Sequence, residues 1–484
     1  MNPKVIMRNV GFALLVSALF MFLSILVSMA NGNDSALAAL MISFIMTFTV
    51  GVFPFIFVRK TSAISLREGY MIIVLSWVLS FIFGMMPYLL WGGPFTVVNA
   101  WFESVSGFTT TGATILDDIE ALPKSLLFWR SSTHFIGGLG VVVFLMLIIP
   151  SSSPMRLRLA NMELSSLSKD EYKTRANKTV LIFTYVYLAI FLITFLLYII
   201  GGMPAFDAVN NAFSVCATGG FSPRNLSIGA YGSNYINIVT TVMMVLASCH
   251  FAILYFTVVN RSLRPLNNPV MKFYLGTLGL AAIMIALSMK IDGIEQTWGG
   301  AFMNSSFHVA SYASTCGLAI ADNSSWNPFI VYVLMLISLP CGMAGSTTGG
   351  FKIDRAFLLM KVLRRQINRS LHPSSVSDIR IGNKVIKEED IYPHLVYFAM
   401  FMMALLLSVF VCQVFGNGEY SVPASVASLC NVGLSFDAIG SSGSYNWMNA
   451  QTKVFLTFDM LLGRLEIYPV LAIASMLFNK KDRK

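Results

Sequence analysis

SVCATGGFS, from Ser214 to Ser222, lies between two long apolar runs of the chain. It contains two adjacent glycines and a threonine, and it contains no carboxylate and no histidine. Glycine adopts backbone angles that a residue with a Cβ resists, so the stretch predicts a sharp change of chain direction. Comparable segments recur between other apolar runs, so the stretch bears on the organisation of the whole chain.

The composition around this stretch is that of an integral membrane protein. Of the 484 residues, 56% are hydrophobic and 12% are charged, whereas a soluble domain carries about a quarter charged residues. Apolar runs of about 20 residues, the length that crosses a bilayer, recur along the chain. The first run, residues 9–30, is too long for the core of a cleavable signal peptide.

The cysteines and the basic charge exclude other classes of protein. The six cysteines are scattered without CxxC spacing, so neither a disulfide framework nor a zinc site is predicted. The net charge of +10 does not indicate nucleic acid binding, because the Lys and Arg residues collect in short segments between apolar runs. Such segments mark the cytoplasmic side, so both termini of this multi-pass chain are predicted to be cytoplasmic.

The apolar runs predict ten spanning helices, an even number that agrees with two cytoplasmic termini. The predicted spans are residues 9–30, 35–58, 68–91, 126–150, 178–202, 234–259, 270–291, 327–360, 391–415 and 449–478. The first two form a hairpin. The other eight form four pairs, and each pair encloses a weakly apolar segment that faces outward.

The four enclosed segments share one sequence pattern. They read WFESVSGFTTTGAT, VNNAFSVCATGGFS, SSFHVASYASTCGLA and ASVASLCNVGLSF, and alignment on one glycine matches Gly112, Gly219, Gly317 and Gly433. Such recurrence is an internal repeat. The predicted fold is an all-α integral membrane protein, with an N-terminal two-helix hairpin and four membrane-pore-membrane repeats around one pseudo-fourfold pore. The predicted units are the hairpin, residues 1–62, and the repeats, residues 63–160, 161–265, 266–385 and 386–484.

Each enclosed segment is too short to cross the membrane twice, so it is predicted to enter as a half-helix and return as an extended loop. Non-helical backbone is tolerated at membrane depth only where it is buried in protein or lines a water-filled cavity. Rings of carbonyl oxygens in such loops replace the hydration shell of a monovalent cation. The candidate selectivity-filter residues are Thr110, Thr111, Gly112, Ala217, Thr218, Gly219, Thr315, Cys316, Gly317, Asn431, Val432 and Gly433. Potassium is expected at the backbone carbonyls of Thr111, Gly112, Thr218, Gly219, Cys316, Gly317, Val432 and Gly433.

The eighth predicted span is interrupted by PCGMAGSTTGG, residues 340–350. Glycine costs about 1 kcal/mol and proline about 3 kcal/mol in a helix relative to alanine, so a continuous helix is disfavoured. One interpretation is a kink or a cytoplasmic exit loop. The other, which we favour, is a flexible intramembrane loop that gates the path below the filter. Its candidate gate residues are Gly342, Gly345, Ser346, Thr347, Thr348, Gly349 and Gly350.

Arg464, within the last predicted span, is the second candidate for a gate. An ionised side chain within a span is costly and usually faces the interior of the helix bundle. It either forms a salt bridge with Glu466, Asp459 or another helix, or projects its charge toward the pore below the filter. The histidines within predicted spans, His134 and His250, are interpreted as packing or hydrogen-bonding residues.

The glycine segments, the interrupted span and the N-terminal hairpin resemble the Trk/Ktr/HKT superfamily of potassium transporters, and within it the TrkH family. The resemblance covers essentially the whole chain. It implies one filter strand with one glycine in each repeat, a gating loop in the third repeat and a basic residue of the last helix that faces the conduction path. Glycine at position 112 is associated in the superfamily with preference for potassium over sodium.

The resemblance also implies potassium uptake across the bacterial inner membrane by a homodimer. The other implied partners are the lipid bilayer and a cytosolic nucleotide-binding regulatory subunit resembling TrkA. The sequence has no GxxxxGKS, GxxxxGKT or Rossmann fingerprint, so no cofactor is expected on this chain and nucleotide is expected only on the partner.

Two other functions are open to a chain of this composition. A secondary transporter that couples potassium to protons or sodium also uses broken helices. A membrane enzyme needs a nucleophile with a base, or a metal cluster. The spacing of Ser346 and His250 suggests no such pair, so the chain is not expected to be an enzyme.

Overall fold

The computed structural model describes residues 2–58, 65–148, 176–324, 326–373, 378–382, 384–441, 443–467, 469–470 and 473, and within them the chain is predominantly helical. The α-helices are α1 Pro3–Ala30, α2 Leu37–Phe57, α3 Leu66–Trp91, α4 Val97–Phe108, α5 Lys124–Ile148, α6 Ala176–Ile200, α7 Ala205–Ala217, α8 Asn234–Ser248, α9 Phe251–Val259, α10 Pro269–Ile291, α11 Trp298–Ala313, α12 Pro328–Ser338, α13 Ile353–Leu371, α14 Glu388–Val414, α15 Ser421–Leu429 and α16 Ala450–Arg464. One antiparallel hairpin pairs β1, Ile379–Ile381, with β2, Lys384–Ile386.

Six of the described helices are long and apolar enough to cross a membrane, and the bent pair α8 and α9 makes a seventh candidate. The other three predicted spans correspond to α5, to the interrupted pair α12 and α13, and to α16. Exposed Leu, Ile and Phe side chains cover the outward faces of α1, α2, α6 and α14, as expected where lipid replaces water. The chain is therefore a multi-pass membrane protein.

The first two helices form the predicted N-terminal hairpin. They approach closely because glycines lie at their interface: a Cβ added to Gly11 would lie 2.7 Å from the carbonyl oxygen of Gly51. Small residues at helix contacts are the usual means of close packing in membranes. The hairpin turn is tied to α5 through Asp34, which accepts hydrogen bonds from the amide and the hydroxyl of Ser125 at 3.1 and 2.8 Å.

Four short helices, α4, α7, α11 and α15, lie within the four predicted outward segments. Side-chain caps set the start of two of them, because Thr96 accepts from the amide of Asn99 and Thr297 accepts from the amide of Gly300. Their C-terminal halves are buried, and each continues into a non-helical loop that holds one of the predicted glycines. The boundary between the first two predicted repeats, at residue 160, lies outside the described residues.

Three predicted spans differ from the helices observed. Residues 234–259 form two helices bent by 104° at Cys249 and His250. The interruption of the eighth span runs from residue 339 to residue 352, wider than the glycine-rich motif. The helix of the tenth predicted span, α16, ends at Arg464, because Glu466 and Ile467 have φ angles of 55° and 48°, which a helix does not contain.

Candidate functional site

The four loops that follow the short helices share one backbone conformation. Their first residues adopt left-handed φ angles between 53° and 56°; they are Thr110, Thr218, Thr315 and Asn431. Two residues later, each loop has a glycine with φ between 65° and 90°; these are Gly112, Gly220, Gly317 and Gly433. A positive φ is disfavoured for residues with a Cβ, and at the second site an added Cβ would also overlap a carbonyl oxygen of another loop, so glycine is required there. We call these three-residue segments, 110–112, 218–220, 315–317 and 431–433, the glycine loops.

A recurring hydrogen bond fixes how the loops correspond. The amide of the middle residue donates to a carbonyl five residues earlier, at 2.8 to 2.9 Å; the pairs are Thr111 to Ser106, Gly219 to Ser214, Cys316 to Ser311 and Val432 to Ala427. The sequence alignment of the second loop is therefore wrong by one residue. Gly220, and not Gly219, corresponds to Gly112, and Ala217 is the last residue of α7. With adjacent glycines, the sequence alone could not choose between the two registers.

The glycine loops close a ring. Each glycine Cα faces the middle carbonyl of the next loop, so that an added Cβ would overlap that oxygen. The facing pairs are Gly112 with Gly219, Gly220 with Cys316, Gly317 with Val432 and Gly433 with Thr111. The first loop thus contacts the second, the second the third, the third the fourth and the fourth the first. One chain brings together loops that lie more than 300 residues apart.

A cavity of about 100 Å³ lies beside the ring, lined by Gly112, Gly220, Gly317 and Leu434 together with outer-loop residues. By this measure a single water needs about 10 to 15 Å³, so the cavity has room for several. Among the described residues no group of three or more His, Cys, Asp or Glu side chains is arranged to hold a metal ion. The polar groups available at the ring are backbone amides and carbonyls with a few hydroxyl, thiol and amide side chains.

An ionic cluster joins the outer loops that follow the first two glycine loops. Arg224 bonds Asp207 at 3.0 Å and Glu120 at 3.3 Å, and Asn225 donates to Asp118 at 2.8 Å. The hydrogen bond from Asn225 lowers the pKa of Asp118, and the hydrogen bond to Asp207 raises the pKa of Arg224. Arg224 therefore neutralises part of the negative charge of Asp207 and Glu120.

A buried ion pair braces the same two loops from inside. Glu103 of α4 and Arg130 of α5 meet at 2.6 Å, and their side chains are 0% and 2% exposed. Glu103 also accepts from the amide of Ile115 at 3.1 Å, while Arg130 donates to the carbonyl of Ser222 at 3.2 Å. The guanidinium lies 3.5 Å from the ring centroid of Phe221. Sequence reasoning missed this pair because the two residues lie on different predicted elements.

The interrupting loop, residues 339–352, contacts residues at or just before the start of three of the glycine loops. The Thr347 hydroxyl donates to the carbonyl of Cys216 at 3.1 Å, and the amide of Gly349 donates to the Thr315 hydroxyl at 3.3 Å. A Cβ on Gly349 would overlap the side chain of Asn431. The loop therefore lies against the second, third and fourth segments of the ring.

The same loop fills the bend between α8 and α9. The amide of Met343 donates to the carbonyl of Ser248 at 2.9 Å, and the amide of Phe251 donates to the carbonyl of Gly345 at 3.1 Å. The Thr347 hydroxyl also lies 3.3 Å from the carbonyl of Ala247. The backbone carbonyls and the amide at the bend therefore find hydrogen-bond partners in the interrupting loop. The sequence at the bend contains neither proline nor glycine, the residues that usually indicate a break in a helix.

The predicted gate residue Arg464 donates hydrogen bonds to carbonyls of two other elements. One guanidinium nitrogen donates to the carbonyl of Thr347 at 2.5 Å, and the other donates to the carbonyl of Gly137 in α5 at 3.2 Å. The two carboxylates considered as its partners bond elsewhere: Glu466 pairs with Arg355, and Asp459 accepts from Ser408 at 2.5 Å. Arg464 therefore joins the interrupting loop to α5.

The remaining predicted gate residues form the tight turns of the interrupting loop. Gly345 and Gly350 have φ angles of 77° and 69°, while the Ser346 hydroxyl bonds that of Thr348 at 2.8 Å. A Cβ on Gly342 would lie 2.8 Å from the carbonyl of Ser248. Sequence reasoning missed the charged residues that follow the motif: Lys352 donates to the carbonyl of Thr348, Asp354 accepts from the amide of Ala344 and Arg355 pairs with Glu466.

Comparisons with known proteins point to one family. The model of the TrkH family, described as a cation transport protein, matches residues 36–482. The Trk system potassium uptake protein TrkG of Escherichia coli (strain K12) is 31% identical, with 99% of each chain covered, and TrkH of the same strain is 28% identical with the same coverage. The crystal structure of the potassium transporter TrkH from Vibrio parahaemolyticus superposes with a TM-score of 0.87 at 26% identity over 99% of both chains.

Proposed function

Because the chain belongs to the TrkH family of cation transport proteins, we propose that it takes up potassium through the ring of glycine loops. Its relatives from Escherichia coli are named potassium uptake proteins, and they match the chain from end to end. The observation that carries the proposal is the closed ring, in which four loops with one backbone geometry surround a common centre.

Potassium is bound by backbone carbonyl oxygens at two adjacent levels of this ring. The proposed ligands are the carbonyls of Thr111, Gly112, Gly219, Gly220, Cys316, Gly317, Val432 and Gly433. Each short helix ends where its loop begins, so the negative ends of four helix dipoles lie near the ion. Carbonyl rings select among monovalent cations without a carboxylate, which agrees with loops that contain none.

The interrupting loop is the proposed gate below the ring. It contacts Cys216, Thr315 and Asn431, so an ion that leaves the ring toward the cytoplasm meets it directly. Arg464 holds this loop through the carbonyl of Thr347 and adds a positive charge that opposes cations. Opening requires the loop to give up the contacts of Thr347 with Arg464, Cys216 and Ala247.

Family membership supports the remaining assignments, which are a homodimer in the bacterial inner membrane with both termini in the cytoplasm. A cytosolic nucleotide-binding subunit resembling TrkA is the proposed regulator, and nucleotide binds to that subunit. Helix α13 offers it a basic surface, which carries Lys361, Arg364, Arg365 and Arg369. The other basic segment, residues 154–178, lies almost wholly outside the described residues.

A second candidate function is potassium transport coupled to protons, and Asp459 favours it. This carboxylate in α16 is 3% exposed and accepts a hydrogen bond from Ser408, which in turn bonds Ser425 at 2.8 Å. Buried ionisable residues within spans often belong to proton pathways. Asp459 bonds Ser408 of α14 rather than a glycine loop, however, and the closed ring of glycine loops favours a channel-like path.

Ion uptake into proteoliposomes that contain the purified chain tests the proposal. Potassium, rubidium, caesium, sodium and lithium are compared with and without a proton gradient, for the wild type, Gly112→Ser and Gly276→Ser. Gly276 has open space where a Cβ would be added, so it is the matched control. We expect gradient-independent uptake that favours potassium, and entry of sodium only with Gly112→Ser. Uptake that strictly requires a proton gradient would replace the proposal with coupled transport.

A further inference from the structure

The second glycine loop differs from the other three at its middle residue. Three loops place a side chain there, in Thr111, Cys316 and Val432, whereas the second has Gly219. The space beside Gly219 is filled by the imidazole of His134, because an added Cβ would overlap the Cδ2 and Cγ atoms of that ring. His134 lies on α5 and is 0% exposed. Gly219, the first glycine of the pair, therefore leaves the space that this ring occupies.

Both nitrogens of His134 contact the backbone around the second loop. Nδ1 lies 2.7 Å from the carbonyl oxygen of Gly107 in α4, and the amide of Phe221 donates to Nε2 at 3.1 Å. A carbonyl only accepts and an amide N–H only donates. The imidazole is therefore neutral, with its proton on Nδ1 and a bare Nε2.

The aromatic ring of Phe221 completes this contact. It stacks on the imidazole with a centroid distance of 4.1 Å and an interplanar angle of 21°, and the Arg130 guanidinium lies 3.5 Å from the same ring. Phe221 directly follows Gly220 in the chain. Phe221, the residue that follows the second glycine loop, is thus held by one hydrogen bond, one aromatic contact and one cation–π contact.

From these contacts we propose that His134 is a positioning residue of the ring. It joins the end of α4 to the second glycine loop and so fixes where the carbonyls of Gly219 and Gly220 stand relative to those of the first loop. This inference rests on the proposed function, because the consequence of misplacing these carbonyls is a loss of ion selectivity. His134 does not contact the ion. It acts through Phe221 and Gly219.

Two substitutions test the two nitrogens of the His134 imidazole separately. In His134→Gln the amide oxygen takes the place of Nε2 and can accept from Phe221, whereas in His134→Asn the amide takes the place of Nδ1 and leaves the Phe221 amide without its acceptor. An unsatisfied buried amide costs about 1 to 3 kcal/mol. We therefore expect His134→Asn to lower the ratio of potassium to sodium uptake by about tenfold or more, a change of about 1.4 kcal/mol. For His134→Gln, which keeps the acceptor, we expect a ratio within about threefold of the wild type.

His308→Asn is the matched control, since this buried histidine bonds the carbonyl of Asn304 within its own helix, at 2.9 Å. It is expected to keep the wild-type ratio. The proposal is overturned if folded His134→Asn selects potassium as the wild type does, or if His308→Asn lowers the ratio equally.

Nitrogen-15 NMR of the wild type in lipid tests the same assignment without a variant that must fold. The His134 signal is identified by its through-space contact with the Phe221 amide. We expect a neutral imidazole with the proton on Nδ1 at pH 7. A proton on Nε2, or an imidazolium, would overturn the proposal. If the wild type shows no potassium uptake, the proposed function fails, whereas the tautomer result stands separately.

Discussion

The outer and inner halves of the proposed ion path are built on different plans. The outer half repeats one conformation in four loops, each with a left-handed first residue and a glycine two positions later. The inner half has a single interrupting loop, residues 339–352, and one arginine, Arg464, that holds it. Equal contacts from all sides suit the binding of a spherical ion, whereas a single loop suits a movement that opens a path.

The forces that hold the two halves also differ. Backbone angles and the absence of Cβ atoms fix the glycine loops, and these features cannot change without rebuilding the backbone. Hydrogen bonds from the side chains of Thr347 and Arg464 hold the interrupting loop together with its backbone hydrogen bonds, and such bonds exchange readily for bonds to water. Substitutions in the outer half should change which ion passes, and substitutions in the inner half should change how fast it passes.

The largest effect is expected from Gly433→Ala. The new Cβ would overlap the carbonyl of Thr111 and lie 2.6 Å from the amide nitrogen of Ala113, in a residue whose φ is 75°. Strain of about 1 to 3 kcal/mol at such a site should lower the ratio of potassium to sodium uptake by about tenfold or more. Competitive uptake in proteoliposomes measures this ratio, and Gly276→Ala on the exposed face of α10 is the control. An unchanged ratio in folded Gly433→Ala would remove the outer half from the selection of ions.

Arg464→Ala should have the next largest effect, and on rate alone. Loss of the charged hydrogen bonds to Thr347 and Gly137, each worth about 1.5 to 3 kcal/mol, should raise potassium uptake roughly tenfold while the ion ratio stays constant. Arg365→Ala, which removes a surface pair with Glu388, is the control and should leave uptake unchanged. A folded Arg464→Ala protein with lower uptake would show that Arg464 supports the path rather than closing it.

Thr347→Val should act in the same direction more weakly. It keeps the shape of the side chain but removes the one hydroxyl proton that the carbonyls of Cys216 and Ala247 share, a neutral hydrogen bond worth about 1 kcal/mol, so uptake should rise by about threefold to tenfold. Thr49→Val provides the comparison, because the hydroxyl of Thr49 donates to the carbonyl of Ile45 in its own helix. A shift in the potassium to sodium ratio, measured in the same assay, would contradict the division between the two halves.

The smallest effect is expected from Asp34→Asn, which lies outside both halves. Burial tends to raise the pKa of Asp34, but hydrogen bonds from Ser28 and Ser125 outweigh it and hold the pKa below its usual value. The ionised carboxylate therefore stabilises the fold above the pKa of the unfolded chain, about 3.9, and this contribution is lost as the pH falls through the folded pKa. Thermal unfolding should show Asp34→Asn melting a few degrees below wild type at pH 7, with a smaller difference near pH 3, while uptake by the two proteins stays equal. A melting difference that is independent of pH would exclude the carboxylate as its cause.

Much of the fold followed from residue patterns. Apolar runs located the helices because lipid demands continuous hydrophobic length, and Pro340 with its neighbouring glycines located the interrupting loop because a helix is unstable there. Family membership confirms the resemblance inferred from the glycine segments. The filter and gate roles of individual residues stay predictions, which the variants above test.

The features that escaped prediction depend on contacts between distant elements. The bend at Cys249 and His250 is stabilised by bonds to the interrupting loop, about 95 residues further along the chain, and no local signal marks it. The choice of Gly220 over Gly219 depends on the His134 ring, which fills the space beside Gly219. Neither contact leaves a periodic pattern in the sequence.

The bend between α8 and α9 also makes the proposed opening of the interrupting loop depend on water. The carbonyls of Ala247 and Ser248 are satisfied by this loop, and at membrane depth only water can replace it. Under the proposed gating, water takes the place of the loop at these carbonyls each time the loop withdraws. The balance between closed and open protein should therefore follow the chemical activity of water, so that solutes too large to enter the path drive it shut by osmotic stress.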